Sequence, residues 1–125
     1  ISPATSHLEH TKKYRLPTDA YDFILYSGLQ YVGRDTLLVQ SSDAVLSIGG
    51  RMGTVHEFAI AIESHVPVGV LKDAGGVGDE FEHLMLAAGM CHDGICDTKH
   101  DVFFSDKPEL LVERIVGILE ERKAK

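Results

Sequence analysis

Asp43-Ala44-Val45-Leu46-Ser47-Ile48-Gly49-Gly50-Arg51-Met52-Gly53-Thr54-Val55-His56-Glu57-Phe58, residues 43–58, reads as a buried strand, a glycine-rich turn and the start of a helix. Such a unit sets backbone N–H groups and the positive end of a helix at one edge of a sheet, which suits an anion. Glycine at 49, 50 and 53 lets the backbone adopt positive φ and approach a ligand closely. The candidate ligand is a phosphate, held by Gly49, Gly50, Arg51, Met52, Gly53 and Thr54.

Outward from this stretch the pattern repeats. Apolar runs at 22–27, 44–48, 66–71 and 102–104 read as strands, and 33–42, 54–64, 78–88 and 107–122 as helices. Leu37 and Leu38 are expected to turn inward on the first of these helices. The last is expected to bury Leu110, Leu111, Ile115, Ile118 and Leu119, with Pro108 in its first turn. Strands that are apolar throughout, alternating with helices, predict an α/β fold: a Rossmann-like parallel sheet with helices on both faces. A second glycine-rich turn, Asp73-Ala74-Gly75-Gly76-Val77-Gly78, also follows a strand. If the two strands are neighbours, the two turns frame one pocket at the carboxyl edge, with Gly75 and Gly76 on its far side. Residues 1–17 are polar, lack sustained periodicity and read as a connecting segment.

At 125 residues the chain fits a single domain, residues 1–125. A formal net charge of −7 disfavours a nucleic-acid partner, which would require a broad basic face, but leaves room for a small anion held by dipoles and one or two arginines. No apolar run is long enough to span a bilayer, so no membrane partner is expected and the location is read as cytoplasmic. The two cysteines, Cys91 and Cys96, are accordingly read as reduced thiols. Together with His100 they invite a zinc reading, but paired C-x-x-C spacing is missing, so neither a metal nor a cofactor is expected. His7, His10, His65 and His83 lack a partner motif and read as surface or packing residues.

Ile48-Gly49-Gly50-Arg51-Met52-Gly53-Thr54-Val55-His56-Glu57 resembles the GGxGTxxE motif of the LOG-type proteins, formerly labelled "lysine decarboxylase", to which molybdenum cofactor carriers are related. The similarity runs from about residue 21 to 119, including Gly33-Arg34, the Ser-Asp-Ala lead into the strand, Val66-Pro67-Val68-Gly69 and Asp106-Lys107-Pro108-Glu109-Leu110. It implies that Arg34 and Glu57 are catalytic residues, acting on the N-glycosidic bond of a nucleoside 5′-monophosphate to release free base and ribose 5-phosphate. It also implies a homodimer. The chain resembles the C-terminal two-thirds of such a protein, and residues 1–4 resemble the exit from a strand of a preceding half. Arg51 stands where the motif has glycine. The resemblance leaves a non-catalytic nucleotide or cofactor carrier, or a sensor, as the alternative.

From the residues alone, Glu57 has a competing role. Thr54-Val55-His56-Glu57 is a T-x-x-E pattern, in which threonine and glutamate cap a helix and need no substrate. Arg34, read without the resemblance, is a solvated helix charge, and the glycines at 75 and 76 are turn chemistry.

Overall fold

A computed structural model describes residues 1–98 and 101–125. Three parallel strands, β1 (Val45–Ile48), β2 (Val68–Leu71) and β3 (Val102–Ser105), lie in the order β1-β2-β3. Val45 stands opposite Val68 and Ile48 opposite Leu71, while Val68 and Leu71 stand opposite Val102 and Ser105. Five helices surround them: α1 (His7–Lys12), α2 (Gln30–Gln40), α3 (Met52–Glu63), α4 (Phe81–Ala87) and α5 (Pro108–Lys123). The α/β class and the parallel sheet are as the sequence implies.

Side-chain alternation along the strands splits the interior in two. Val68, Val70 and Val102 join Val39 of α2, Phe58 and Ala61 of α3, and Phe81 and Met85 of α4 on one face. Phe103 meets Leu111, Ile115 and Ile118 of α5 on the other. Each fully buried side chain of this size contributes about 1.5–3 kcal/mol, and the stacked Phe58 and Phe81 rings, 4.0 Å between centroids, lock α3 onto α4. Because both faces are covered, the β2 strand at the centre is almost wholly apolar. Pro108 occupies the start of α5, where its missing N–H costs nothing.

Several local expectations are corrected. Residues 22–27 form no strand; Tyr26 makes a single parallel bridge to Ser2, with Ser2 N–H donating to Leu25 O at 2.8 Å. The run is too short to pair along its length, and Phe23 is 79% exposed. Residues 1–17 are more than a connector: α1 lies here, Ala4 is fully buried, and buried His10 bonds to Ser2 Oγ (2.8 Å) and Pro17 O (3.0 Å). The helix expected at 78–88 divides into a 3-10 turn, Gly76–Glu80, and α4. Leu37 and Leu110 face solvent, because the buried stripes of their helices run through Asp35 and Val39, and through Leu111, Ile115 and Ile118.

Cys91 and Cys96 form a disulfide, contrary to the reduced-thiol reading. A tight turn at Asp93 and Gly94, both at positive φ, pairs His92 with Ile95 and brings the flanking cysteines face to face. Compartment statistics carry no information about such a hairpin. With both sulfurs bonded to each other, neither is a thiolate ligand; His100 lies outside the described residues. Among the described residues no group of three or more His, Cys, Asp or Glu side chains is placed to hold a metal, and no helix is long and apolar enough to cross a membrane.

Candidate functional site

The glycine loop leaves β1 at its carboxyl end. Gly49 (φ 62°) and Gly50 (φ 95°) turn the chain sharply, and a Cβ at Gly50 would collide with Thr54 Oγ1. Arg51 then takes an extended φ of −134° that any residue adopts, so arginine replaces the motif's glycine there without backbone strain. The helix begins at Met52, two residues before the expected start.

That earlier start changes what Glu57 does. Arg51 is the N-cap, and its N–H donates to Thr54 Oγ1 at 3.3 Å, while Arg51 O accepts from Thr54 N at 2.9 Å. Thr54 therefore sits at the third helical position and supplies the reciprocal half of the cap. Glu57 lies a turn further on, beyond reach of the helix end, so the T-x-x-E pattern is not used as a capping box. Among the described residues, the N–H groups of Gly50, Met52 and Gly53 donate to no acceptor in the chain. They stay available at the positive end of α3.

The second glycine turn braces the first from behind. Val77 N–H donates to Gly50 O (3.1 Å) and Gly78 N–H to Gly49 O (3.2 Å). Gly76 (φ 68°) lies so close that a Cβ would come within 2.6 Å of Gly50 O and 2.8 Å of Gly50 N. The turns are neighbours, as β1 and β2 are, and they meet through backbone contacts.

Four ionisable side chains gather where α2 meets α3. Asp35 is 4% exposed. Its Oδ2 lies 3.0 Å from His56 Nδ1 and its Oδ1 3.4 Å from Arg34 Nε. Arg34 Nε is buried and has no hydrogen bond among the described residues, and the guanidinium lies 5.6 Å from the centroid of the Tyr31 ring. Burial first, and then the negative charge of Asp35, push the Glu57 carboxyl above its ordinary 4.5; hydrogen bonding to Asp35 adds to this, and the positive charges of Arg34 and His56 oppose it. A carboxyl with a raised pKa in a cavity wall is suited to acid–base chemistry.

The cluster faces two cavities. One of about 230 Å³, between β1 and the start of α3, is lined by Leu46, Ser47, Ile48, Thr54, Glu57 and Phe58. Another of about 210 Å³ is lined by Arg34 together with Tyr21, Phe23, Tyr31, His10 and Leu16. Arg34 and Glu57 thus act on one another across Asp35 while lining different cavities. Gly75 and Gly76 line neither; their place is behind the loop.

Asp35 and Ser47 were missed in the sequence. Asp35 precedes buried Val39 by four residues, so helical periodicity puts it on the inward face. Ser47, 5% exposed with its hydroxyl unpaired among the described residues, hid within an apolar strand run.

A parallel sheet carrying a glycine loop at its carboxyl edge, followed at once by a helix N-terminus, defines a Rossmann-like α/β domain. The chain belongs to the SLOG cluster4 family, whose model matches residues 1–102. Its fold is similar to the X-ray structure of TM1055, a structural genomics target, at a TM-score of 0.59 and 26% identity, over 85% of this chain and 61% of that one. The chain therefore spans about 61% of the length of TM1055. No curated protein matches it significantly.

Proposed function

We propose that this domain binds a nucleoside 5′-monophosphate and hydrolyses its N-glycosidic bond, giving free base and ribose 5-phosphate. The observation that carries the reading is the release of Glu57 from helix capping, so that it lines a cavity between β1 and the start of α3. Glu57 lies five helical steps beyond Met52, about 7.5 Å along the axis, a span comparable to ribose 5-phosphate. A phosphate on the N–H groups of Gly50, Met52 and Gly53 sets the anomeric carbon near Glu57. Arg34 adds positive charge, and Tyr31 offers an aromatic face beside it. Resemblance to the LOG-type phosphoribohydrolases and membership of the SLOG cluster4 family support the same chemistry.

The test is a panel of purine and pyrimidine nucleoside 5′-monophosphates assayed for ribose 5-phosphate. Release from at least one of them, lost in Glu57→Gln, is the expected outcome. A second reading, a non-catalytic nucleotide or cofactor carrier or sensor, is favoured by the separate cavities of Arg34 and Glu57. Binding without release in the same panel selects it, and binding of none removes the nucleotide reading altogether.

A further inference from the structure

We propose that the cavity of about 210 Å³ lined by Arg34 is a base pocket: it takes a 6-oxopurine ring, flat against aromatic side chains, with the O6 and N7 acceptors of the ring on the terminal N–H groups of Arg34. The inference rests on the nucleotide reading above and names the base of that nucleotide.

Tyr21, Phe23 and Tyr31 line this cavity and yet are exposed, so their rings are not used to fill the core. Such rings offer planar faces on which a base stacks. Tyr31 is held in place by Tyr14, which meets it edge-on at 5.4 Å between centroids, and by the Arg34 guanidinium beside it at 5.6 Å. His10 forms another part of the wall. It is buried, and its two ring nitrogens pair with Ser2 Oγ and Pro17 O, so it shapes the cavity without offering a ligand a hydrogen bond. The volume is below the roughly 300–1,000 Å³ of ordinary small-molecule pockets, which suits one ring system rather than a whole nucleotide.

Asp35 sets the direction from which Arg34 acts. Arg34 Nε lies 3.4 Å from Asp35 Oδ1, and the other Asp35 oxygen is fixed by His56 Nδ1 at 3.0 Å. With Nε buried on that side, the terminal nitrogens are the donors left to a ligand, and among the described residues no acceptor hydrogen-bonds to them. An arginine fork matches paired acceptors such as O6 and N7 of guanine. Adenine sets an N6 amino donor where O6 would be, so donor meets donor, and among the described residues no acidic side chain lines the cavity to accept it. Arg34 and His56 share Asp35, so the pocket stands beside the first turns of α3. A nucleotide with its phosphate at the N–H groups of Gly50, Met52 and Gly53 extends its base to that side.

The probes are hypoxanthine, adenine, inosine 5′-monophosphate and adenosine 5′-monophosphate, each titrated into nitrogen-15-labelled protein and followed by amide NMR. Hypoxanthine should shift the amides of residues 21–34 and bind about 10-fold tighter than adenine, with the same order for the two nucleotides. Arg34→Gln should bring both ratios close to one. Phe23→Ala, at an exposed position, should weaken every purine about 5-fold or more by removing a stacking face. Tighter binding of inosine 5′-monophosphate than of hypoxanthine makes the pocket part of a nucleotide site, and equal or weaker binding makes it a site for the free base; both uphold it. No binding of hypoxanthine, equal affinity for hypoxanthine and adenine, or shifts confined to residues 49–54 overturns the proposal. If Arg34→Gln does not fold by circular dichroism, Phe23→Ala decides, unchanged affinity overturning the proposal. Ribose 5-phosphate release from inosine 5′-monophosphate without hypoxanthine shifts at residues 21–34 defeats the pocket and leaves the hydrolase reading standing; hypoxanthine binding there without release from any nucleotide does the reverse.

Discussion

The same short pattern opens two helices and has opposite consequences. Ser6-His7-Leu8-Glu9 begins α1, and Thr54-Val55-His56-Glu57 lies at the start of α3. In α1 the pattern acts as a cap: Glu9 N–H donates to Ser6 Oγ (3.2 Å), and the Glu9 carboxylate accepts from Thr5 N (2.7 Å), Thr5 Oγ1 and Lys13 Nζ (2.9 Å). The hydrogen bonds from Thr5 lead, with Lys13 adding to them, in holding the Glu9 carboxyl down at about 2. In α3 the glycine turn starts the helix early, Thr54 alone serves the cap, and Glu57 is left over a cavity with its carboxyl pushed above 4.5. One glutamate completes a helix end, while the other is withheld from that work. Local sequence permits both outcomes, and the helix start decides between them.

The largest expected effect is on turnover. Glu57→Gln should reduce ribose 5-phosphate release by about 100-fold or more, about 2.7 kcal/mol of transition-state stabilisation, because an amide neither donates a carboxylic proton nor bears negative charge. Its melting temperature should stay close to wild type, since Glu57 caps nothing. A large loss of stability with residual activity intact would place Glu57 back in a capping role and dissolve the contrast with Glu9.

Gly76→Ala tests what sets the start of α3. The new methyl meets the Gly50 backbone at a positive φ, so a loss of about 1–3 kcal/mol in denaturant unfolding is expected. Phosphate affinity should fall with it, because Gly76 braces the loop that would hold the anion. Unchanged stability would mean that the two turns are not locked together. Thr54→Val removes the reciprocal cap and should cost about 1 kcal/mol in the same measurement.

The smallest effects are in pH dependence, and they carry opposite signs. Glu57 is raised in the folded state, so its stabilising contribution is complete below the unfolded value of 4.5 and is lost as pH rises through the folded one. Glu9 is lowered to about 2, so its contribution is present above 4.5 and is lost as pH falls toward 2. Amide exchange at Thr5 should accelerate over that acid range, and Glu9→Gln should abolish the acceleration. The wild type is expected to lose stability as pH rises above 4.5, and melting curves of Glu57→Gln should lack that decline. If the two carboxyl groups titrate alike, their environments do not differ as described.

Periodicity and glycine placement were enough to read the α/β class, β1, β2, β3, the long helix α5 and the loop from Gly49 to Thr54, because these depend on contacts between residues near in sequence and on apolar runs that only a covered sheet can bury. Both glycine turns were legible too, but that they are neighbours depended on β1 lying beside β2, which the sheet order supplies. Residues 22–27 were misread because six apolar-looking residues make a strand only if a partner strand runs beside them, and here Ser2 meets Tyr26 alone. The Cys91–Cys96 bond was misread because it depends on a hairpin, not on spacing.

The sequence by itself determined that a glycine loop would follow an apolar strand and lead into a helix, with Gly49 and Gly50 at positive φ; the strand, read as buried, lies at the sheet edge with Leu46 44% and Ile48 66% exposed, because only β2 has a strand on each side. The sequence placed Arg34 and Glu57 as candidates but left Glu57 divided between cap and catalyst. Only the tertiary structure removed the capping role, by starting α3 at Met52, and only it set Asp35 between Arg34 and His56. The physical reason is that a carboxyl group's charge state depends on burial and on charges brought from another helix, and neither is a property of its own segment of chain.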